Sequence, residues 1–181
     1  MPYSAAMKRI AIVMPAYNAG QTIEKVFARI PAAVLAQSPM FIVINDGSTD
    51  DTRQALARIA AHYANVEVIE QPVNKGYAQA QKAGFTRALE RGAEIVALLH
   101  SDGQYAPEHL PLLLEPLASD QCDVVVGSRI LGGQARAGGH APLQVRGEHR
   151  HLPRGELLLR PALHGVPHRL HALLPPCAAR H

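Results

Sequence analysis

The stretch Met40-Phe-Ile-Val-Ile-Asn-Asp-Gly-Ser-Thr-Asp-Asp51 decides the fold class. Its first five residues are apolar and include β-branched side chains, which predicts a strand that is buried on both faces. Polar and turn-forming residues follow at once, and residues 48–51 resemble a capping box that would open a helix. A change from strand to helix within a few residues is typical of a layered α/β protein.

The same alternation continues along the first 132 residues of the chain. Strands are predicted at residues 9–14, 40–44, 66–69, 94–99 and 123–126, and Pro15 is expected to end the first of them. Helices are predicted at residues 22–30, after residue 51, at 75–91 and at 107–118. Strands that alternate with helices at this spacing pair in parallel, so we predict one α/β domain over residues 8–132.

Residues 133–181 differ in composition from the rest of the chain. They contain no Ile, Phe, Tyr, Lys, Asn, Asp, Ser or Thr, and they hold seven of the ten histidines. Such a segment has few apolar residues with which to extend a core, so we expect it to be disordered.

The composition of this segment, rich in Arg, Pro, Ala and Gly, is also what GC-rich DNA encodes when it is translated out of frame. We infer that the chain is translated in a shifted reading frame from near Gln134 onward. The alternative is a natural tail rich in Arg and His. The sequence of the coding DNA would distinguish the two.

Composition and motifs exclude several classes of protein. The positive excess behind the net charge of +3 lies in residues 133–181. The rest of the chain has no basic stripe with interleaved aromatic residues, so a nucleic-acid partner has little support. Cys122 and Cys177 have no metal-like spacing and fit a reducing compartment. Neither a signal peptide nor an apolar run near the roughly 20 residues of a transmembrane helix is visible. We expect a cytoplasmic protein that at most lies against a membrane surface.

Polar residues follow the predicted strands, in the segments Pro15-Ala-Tyr-Asn18, Asn45-Asp-Gly47, His100-Ser-Asp-Gly103 and Gly127-Ser-Arg129. The carboxyl ends of parallel strands meet at one edge of a sheet, where ligands bind in folds of this kind. There Asp46 could accept an N–H group from a bound base, and the Tyr17 ring could lie against that base. A helix cap and a simple strand exit are the alternative roles of these two segments. We expect Asp46 to lie at a strand end rather than in the core.

Asp102 is the candidate ligand for a divalent cation, because its carboxylate is a hard oxygen donor. A tight turn that Asp102 makes with Gly103 is the alternative. His100 alone is more often a hydrogen-bonded core histidine than a ligand. No Walker loop or Gly-x-Gly-x-x-Gly follows the first strand, and no Gly-x-Ser-x-Gly occurs, which excludes P-loop, dinucleotide-binding and nucleophile-elbow enzymes.

Taken together and in this order, the motifs resemble the family 2 glycosyltransferases, which have the GT-A fold. The resemblance covers residues 8–132, and its wording is closest to the dolichyl- or polyprenyl-phosphate sugar transferases. It rests on Val13-Met-Pro-Ala-Tyr-Asn18, Ile44-Asn-Asp-Gly-Ser-Thr-Asp-Asp-Thr52, Asn74-Lys-Gly-Tyr-Ala-Gln-Ala80, Ser101-Asp-Gly-Gln-Tyr-Ala-Pro-Glu108 and Val126-Gly-Ser-Arg129.

The resemblance implies transfer of a sugar from a UDP- or GDP-linked donor to a polyprenyl-phosphate or glycan acceptor, with Mg²⁺ or Mn²⁺ as cofactor. It implies metal binding by Asp102, and it puts His100 where the family usually has a first acid. Ala19-Gly20 stands where many relatives have an acid. Gln104 and Arg129 are expected on the donor or acceptor side. The residues expected to bind the nucleotide are Pro15, Ala16, Tyr17, Asn18, Asp46 and Gly76.

No catalytic base is identified, because nothing in residues 133–181 matches the acceptor-side residues of the family. A donor-binding module that does not turn over is therefore the second hypothesis. A nucleotidyltransferase is the third, although such enzymes normally carry a Gly-rich basic loop after the first strand, which this chain lacks.

Overall fold

The computed structural model describes residues 8–127, which form a four-stranded sheet between layers of helices. The strands lie in the order β3-β2-β1-β4, and every pair is parallel, as predicted. The predicted tail at 133–181 and Arg129 lie outside the described residues.

In chain order the elements are β1 (Ile10–Ala16), α1 (Ile23–Ala28), α2 (Ala32–Leu35), β2 (Met40–Asp46), α3 (Thr52–His62), β3 (Val66–Gln71), α4 (Tyr77–Glu90), β4 (Ile95–Leu98), a 3₁₀ turn (Pro107–His109) and α5 (Leu110–Ala118).

β1 lies between β2 and β4, which explains why every one of its residues is buried. Its side chains enter two separate cores in alternation. Ile12 and Met14 pack with residues of α1, α3 and α5 on one face of the sheet. Ala11 and Val13 pack with residues of α4 on the other face. Because a strand covered on both faces has no solvent side, its sequence is a continuous apolar run.

Pro15 does not end β1, contrary to the sequence-based expectation, and the strand continues to Ala16. The ladder between β1 and β4 stops at the pair Val13–Leu98, whereas the ladder to β2 runs on. The carbonyl of Pro15 accepts a hydrogen bond from the Ser101 hydroxyl at 2.8 Å, so its polar backbone faces the side where the β4 ladder has stopped. The missing N–H of proline therefore costs no ladder bond there.

Residues 123–126 were predicted to form a strand, and this prediction is wrong. The side chains do alternate, since Val125 packs against the core while Val124 and Val126 are exposed. A strand also requires a neighbour that pairs with its backbone groups. Within residues 8–127 the sheet has four strands, and this segment is not one of them.

The predicted helices are present with shifted ends. α1 ends at Ala28, and the short α2 follows Pro31, which serves as its N-cap residue. α4 begins at Tyr77 rather than at Lys75. The helix that was predicted from Pro107 starts as a 3₁₀ turn and becomes α-helical at Leu110. No helix within residues 8–127 is both long and apolar enough to cross a bilayer.

Candidate active site

The segments that follow the four parallel strands meet along one side of the sheet, which we call the carboxyl edge (residues 17–20, 47–50, 72–77 and 99–104). The register places Ala16 beside Asn45 and Asp46 beside Gln71, so the ends of β1, β2 and β3 are level with one another. The sequence-predicted residues 15–18, 46, 76, 100, 102 and 104 all lie at the strand ends or in these segments.

The loop after β1 is tied to the loop after β2 through Asn18. Asn18 has a left-handed backbone with φ of 49°. Its N–H donates to the Ser48 hydroxyl at 3.0 Å, and its side-chain Oδ1 accepts the N–H of Thr49 at 3.0 Å. The hydroxyl of Ser48 is thus engaged with a residue 30 positions away, and the expected capping box at residues 48–51 is not formed. The side chain of Asn18, which was predicted to bind the nucleotide, holds the two loops together.

Thr52 and Asp50 extend this connection toward the start of α1. The Thr52 hydroxyl, which is fully buried, accepts the N–H of Ala19 at 2.8 Å. The carboxylate of Asp50 accepts the N–H of Gly20 at 3.1 Å, and it also accepts the N–H and the hydroxyl of Thr52. Desolvation raises the pKa of Asp50, but these hydrogen bonds together hold it below its ordinary value of 3.8. The loop that carries Tyr17 is therefore held through three of its own backbone N–H groups, those of Asn18, Ala19 and Gly20.

Gly20 lies close to Asp51, and the structure gives a physical reason for the glycine. A Cβ atom at this position would lie 1.9 Å from Oδ1 and 3.0 Å from the carbonyl carbon of Asp51. Because one of these atoms belongs to the backbone, a side chain could not be accepted by a rotamer change of Asp51 alone. The glycine thus permits a close approach between the loop after β1 and the start of α3.

Asp46 ends β2 and is buried, with only 3% of its surface exposed. The expectation that it lies at the strand end is correct, but the expectation that it lies outside the core is wrong. Its Oδ1 accepts the N–H of Lys75 at 2.8 Å, and its Oδ2 accepts the N–H of Gly76 at 2.9 Å. Asp46 thus holds the loop that precedes α4, a role that sequence reasoning did not foresee. Each carboxylate oxygen still has capacity for a second donor.

Gly47 allows the loop before α4 to pass directly over the end of β2. It has a φ of 66°, and a Cβ atom there would lie 2.4 Å from the N atom of Asn74 and 2.5 Å from the carbonyl carbon of Val73. Asn45 joins β2 to β3, because its side-chain amide donates a hydrogen bond to Glu70 at 2.8 Å. Asn45 thus contacts β3, while Asp46 and Gly47 contact the loop after it.

At the end of β4, Ser101 is buried and Asp102 is exposed. The Asp102 Oδ1 accepts the N–H of Gln104 at 2.9 Å, and Gly103 has a φ of 77°. The turn that was considered as the alternative to metal binding is therefore present. Among residues 8–127 the Asp102 carboxylate accepts this one hydrogen bond, so the turn leaves Oδ2 for a ligand.

His100 is half-buried and contacts two tyrosines, neither of which was predicted as a site residue. Its Nε2 lies 2.9 Å from the hydroxyl oxygen of Tyr77, and its ring centroid lies 4.3 Å from that of Tyr105. Burial raises the pKa of Tyr77, and the neighbouring Tyr105 and Asp102 raise it further. The hydroxyl therefore keeps its proton at neutral pH. The expectation of a hydrogen-bonded histidine fits this environment better than that of a free ligand.

The donor atoms at the carboxyl edge fit a cation that shares its coordination with a ligand. In the described part of the chain, no three His, Cys, Asp or Glu side chains form a group that could hold a metal ion. Mg²⁺ is commonly bound through one or two carboxylates, with substrate phosphates and water completing its shell. An exposed Asp102 at a strand end meets that requirement.

Comparison with known proteins shows the family of this chain. A family model described as glycosyl transferase family 2 matches residues 11–173. The undecaprenyl-phosphate mannosyltransferase of Micrococcus luteus is 32% identical over 125 residues, which make up 69% of this chain and 50% of that protein. The UDP-N-acetylglucosamine–dolichyl-phosphate N-acetylglucosaminyltransferase of Methanococcus voltae is 29% identical and is covered over 53% of its length. This chain thus spans about half the length of these curated relatives.

Solved structures give the same fold. The glucosyl-3-phosphoglycerate synthase of Mycobacterium tuberculosis aligns with a TM-score of 0.51 and 28% identity, over 66% of this chain and 44% of that one. The TarS protein of S. aureus aligns with the same TM-score at 20% identity. These neighbours are GT-A glycosyltransferases, and the parallel sheet with its helices has that fold. The chain belongs to glycosyl transferase family 2.

Proposed function

We propose that this chain binds a nucleoside diphosphate sugar at the carboxyl edge, as part of an enzyme that transfers the sugar to a polyprenyl phosphate. The observation that carries the proposal is that Tyr17, Asp46 and Asp102 follow or end three different strands at one edge. Their loops are held by hydrogen bonds within the protein, and pre-organised loops lower the entropic cost of binding. The acceptor class is taken from the names of the relatives from M. luteus and M. voltae.

The nucleotide would lie between the loop after β1 and the loop after β3. Tyr17 is 51% exposed, so its ring is available to a flat base. Asp46 and the Gly76 backbone that it holds would face the edge of that base. Pro15 and Ala16 are buried at the end of β1, so they would form the floor of the site rather than hydrogen-bond to the nucleotide.

Asp102 would hold Mg²⁺ or Mn²⁺ together with the diphosphate. When bound, the cation neutralises the diphosphate and assists its departure as a leaving group. One solved complex of the M. tuberculosis synthase, at 27% identity and a TM-score of 0.50, is described as containing Mn²⁺ and UDP, which supports this choice of ligands. Gln104, whose N–H closes the turn at Asp102, would lie beside the donor sugar or the acceptor. Arg129 is proposed for the same side.

A phosphate acceptor would remove the need for a catalytic base. The second ionisation of a phosphate monoester has a pKa near 6, so its oxygens are anionic at neutral pH and can attack the anomeric carbon directly. A polyprenyl acceptor is a lipid, and the enzyme would then meet it at a membrane surface. No base from the described residues is required by this account.

The test is transfer of a radiolabelled sugar from UDP- or GDP-linked donors to a polyprenyl phosphate, followed by extraction of the lipid. We expect labelled lipid that depends on Mg²⁺ or Mn²⁺. The second candidate is a donor-binding module that does not turn over, and the same assay separates the two. Nucleotide binding without labelled lipid would select that candidate. Absence of nucleotide binding would overturn both.

A further inference from the structure

Tyr77 is the first residue of α4, and its hydroxyl oxygen lies 2.9 Å from the Nε2 of His100. The two rings are also in contact, with centroids 5.1 Å apart. An imidazole at this position offers a cation no oxygen, whereas a carboxylate would offer a second hard oxygen ligand. The hydrogen bond to Tyr77 determines whether the imidazole Nε2 has a lone pair available for a cation.

A histidine binds a metal through the lone pair of an unprotonated ring nitrogen. If the Tyr77 hydroxyl donates to Nε2, that lone pair is already used. If Nε2 carries the proton and donates to the hydroxyl oxygen, no lone pair exists at Nε2. In both tautomers the contact withholds Nε2 of His100 from a cation held by Asp102.

The backbone beside Tyr77 is anchored at the start of α4. The residue before it, Gly76, donates its N–H to the buried carboxylate of Asp46 at 2.9 Å and to the side chain of Asn74 at 2.8 Å. The start of α4 is therefore attached to the end of β2, while His100 is attached to the end of β4. The Tyr77–His100 contact joins two parts of the chain that are separately fixed.

We infer that Tyr77 determines the metal preference of the site by keeping Nε2 of His100 out of the coordination shell. The inference rests on the proposed function, in which Asp102 and a nucleoside diphosphate share a cation. With Nε2 withheld, the ligands are oxygens from Asp102, the diphosphate and water, a set that suits Mg²⁺ and Mn²⁺. With Nε2 released, an imidazole nitrogen joins them and favours Co²⁺, Ni²⁺ and Zn²⁺.

The experiment compares the wild-type chain with Tyr77→Phe, His100→Ala and the double variant. The dissociation constant of UDP and of GDP is measured by calorimetry in Mg²⁺ and in Co²⁺. Nucleotide affinity is measured rather than total cobalt bound, because seven histidines in residues 133–181 would also take up cobalt. Tyr63→Phe, which removes a hydroxyl at the opposite edge of the sheet, before β3, is the matched control.

We expect Tyr77→Phe to tighten nucleotide binding in Co²⁺ relative to Mg²⁺ by about tenfold, the size of effect that supporting residues have on metal affinity. The double variant should lose this gain, because the released nitrogen is absent, and Tyr63→Phe should match the wild type. An unchanged Co²⁺ to Mg²⁺ ratio in Tyr77→Phe, or a gain that persists in the double variant, would overturn the role of Tyr77 alone. If nucleotide binding responds to no divalent ion in any variant, the metal assignment fails, and the role of Tyr77 fails with it.

Discussion

The hydroxyl of Thr52 accepts the N–H of Ala19 at 2.8 Å, although the two residues are 33 positions apart in the chain. Thr52 is the first residue of α3, and Ala19 lies in the loop that carries Tyr17. The same hydroxyl donates to Asp50, so one buried side chain serves both loops. The position of the proposed base-binding ring thus depends on a residue that would never touch the nucleotide.

Replacing Thr52 by Val removes the hydroxyl while nearly keeping the shape of the side chain. We expect unfolding in urea to show a loss of about 1–3 kcal/mol, because the Ala19 N–H is left buried without a partner. Nucleotide affinity should fall as well, since Tyr17 is less firmly held. Thr52→Ser keeps the hydroxyl and should restore most of both properties. If Thr52→Val binds nucleotide as tightly as the wild type, the loop connection does not serve the site.

Asp46→Ala should lower both stability and nucleotide affinity, rather than affinity alone. The change leaves the N–H of Lys75 without its acceptor and the N–H of Gly76 with the Asn74 side chain alone. Hydrogen bonds to charged groups contribute about 1.5–3 kcal/mol. Asp51→Ala is the control, because the Asp51 side chain is exposed and makes no cap hydrogen bond to α3. Calorimetry with UDP and GDP is combined with urea unfolding. Unchanged affinity for whichever nucleotide binds the wild type would contradict the assignment of Asp46.

Asp102→Asn should abolish the tightening of nucleotide binding by Mg²⁺ or Mn²⁺, with a loss of at least about tenfold in apparent metal affinity. The amide oxygen can still accept the Gln104 N–H, so the turn should survive and the fold should not change. His100→Ala should weaken the Mg²⁺ response less than Asp102→Asn does. A metal response that is equal in Asp102→Asn and in the wild type would show that the cation lies elsewhere.

Acid should weaken the connection that Asp50 makes between the two loops. The folded pKa of Asp50 is lowered, so its contribution to stability is complete above its ordinary value of 3.8 and is lost as the pH falls through the lower folded pKa. We expect the difference in unfolding midpoint between the wild type and Asp50→Asn to be largest near pH 7 and to shrink below about pH 4. A difference that stays constant from pH 7 to pH 3 would contradict this role of the Asp50 charge.

Much of the fold could be predicted because its signals are local. The apolar runs before Pro15 and Asn45 mark the central strands, since both of their faces are covered. The run at residues 123–126 looks the same locally but forms no strand, because pairing depends on a neighbour that the run itself does not specify.

The sequence predicted the location of the candidate site at the strand ends, but it did not predict which side chains contact one another there. Ser48 resembled a helix cap, yet its hydroxyl is taken by the backbone of Asn18, 30 positions away. Tyr77 and His100 are 23 positions apart, and only the parallel order of the strands brings their segments together. Asp46 was identified correctly as a strand-end acid, whereas its burial against the loop before α4 required the structure.

Binding of nucleoside diphosphates at the carboxyl edge is the central claim, and site-resolved NMR of the isotope-labelled chain tests it most directly. UDP and GDP are titrated separately in the presence of Mg²⁺. We expect saturable shifts for one of them at the backbone amides of Tyr17, Gly76 and Gly103, which lie in the loops after β1, β3 and β4. The amide of Tyr63, at the opposite edge, should not move. Shifts confined to residues away from the carboxyl edge, or no shift with either nucleotide, would contradict the account.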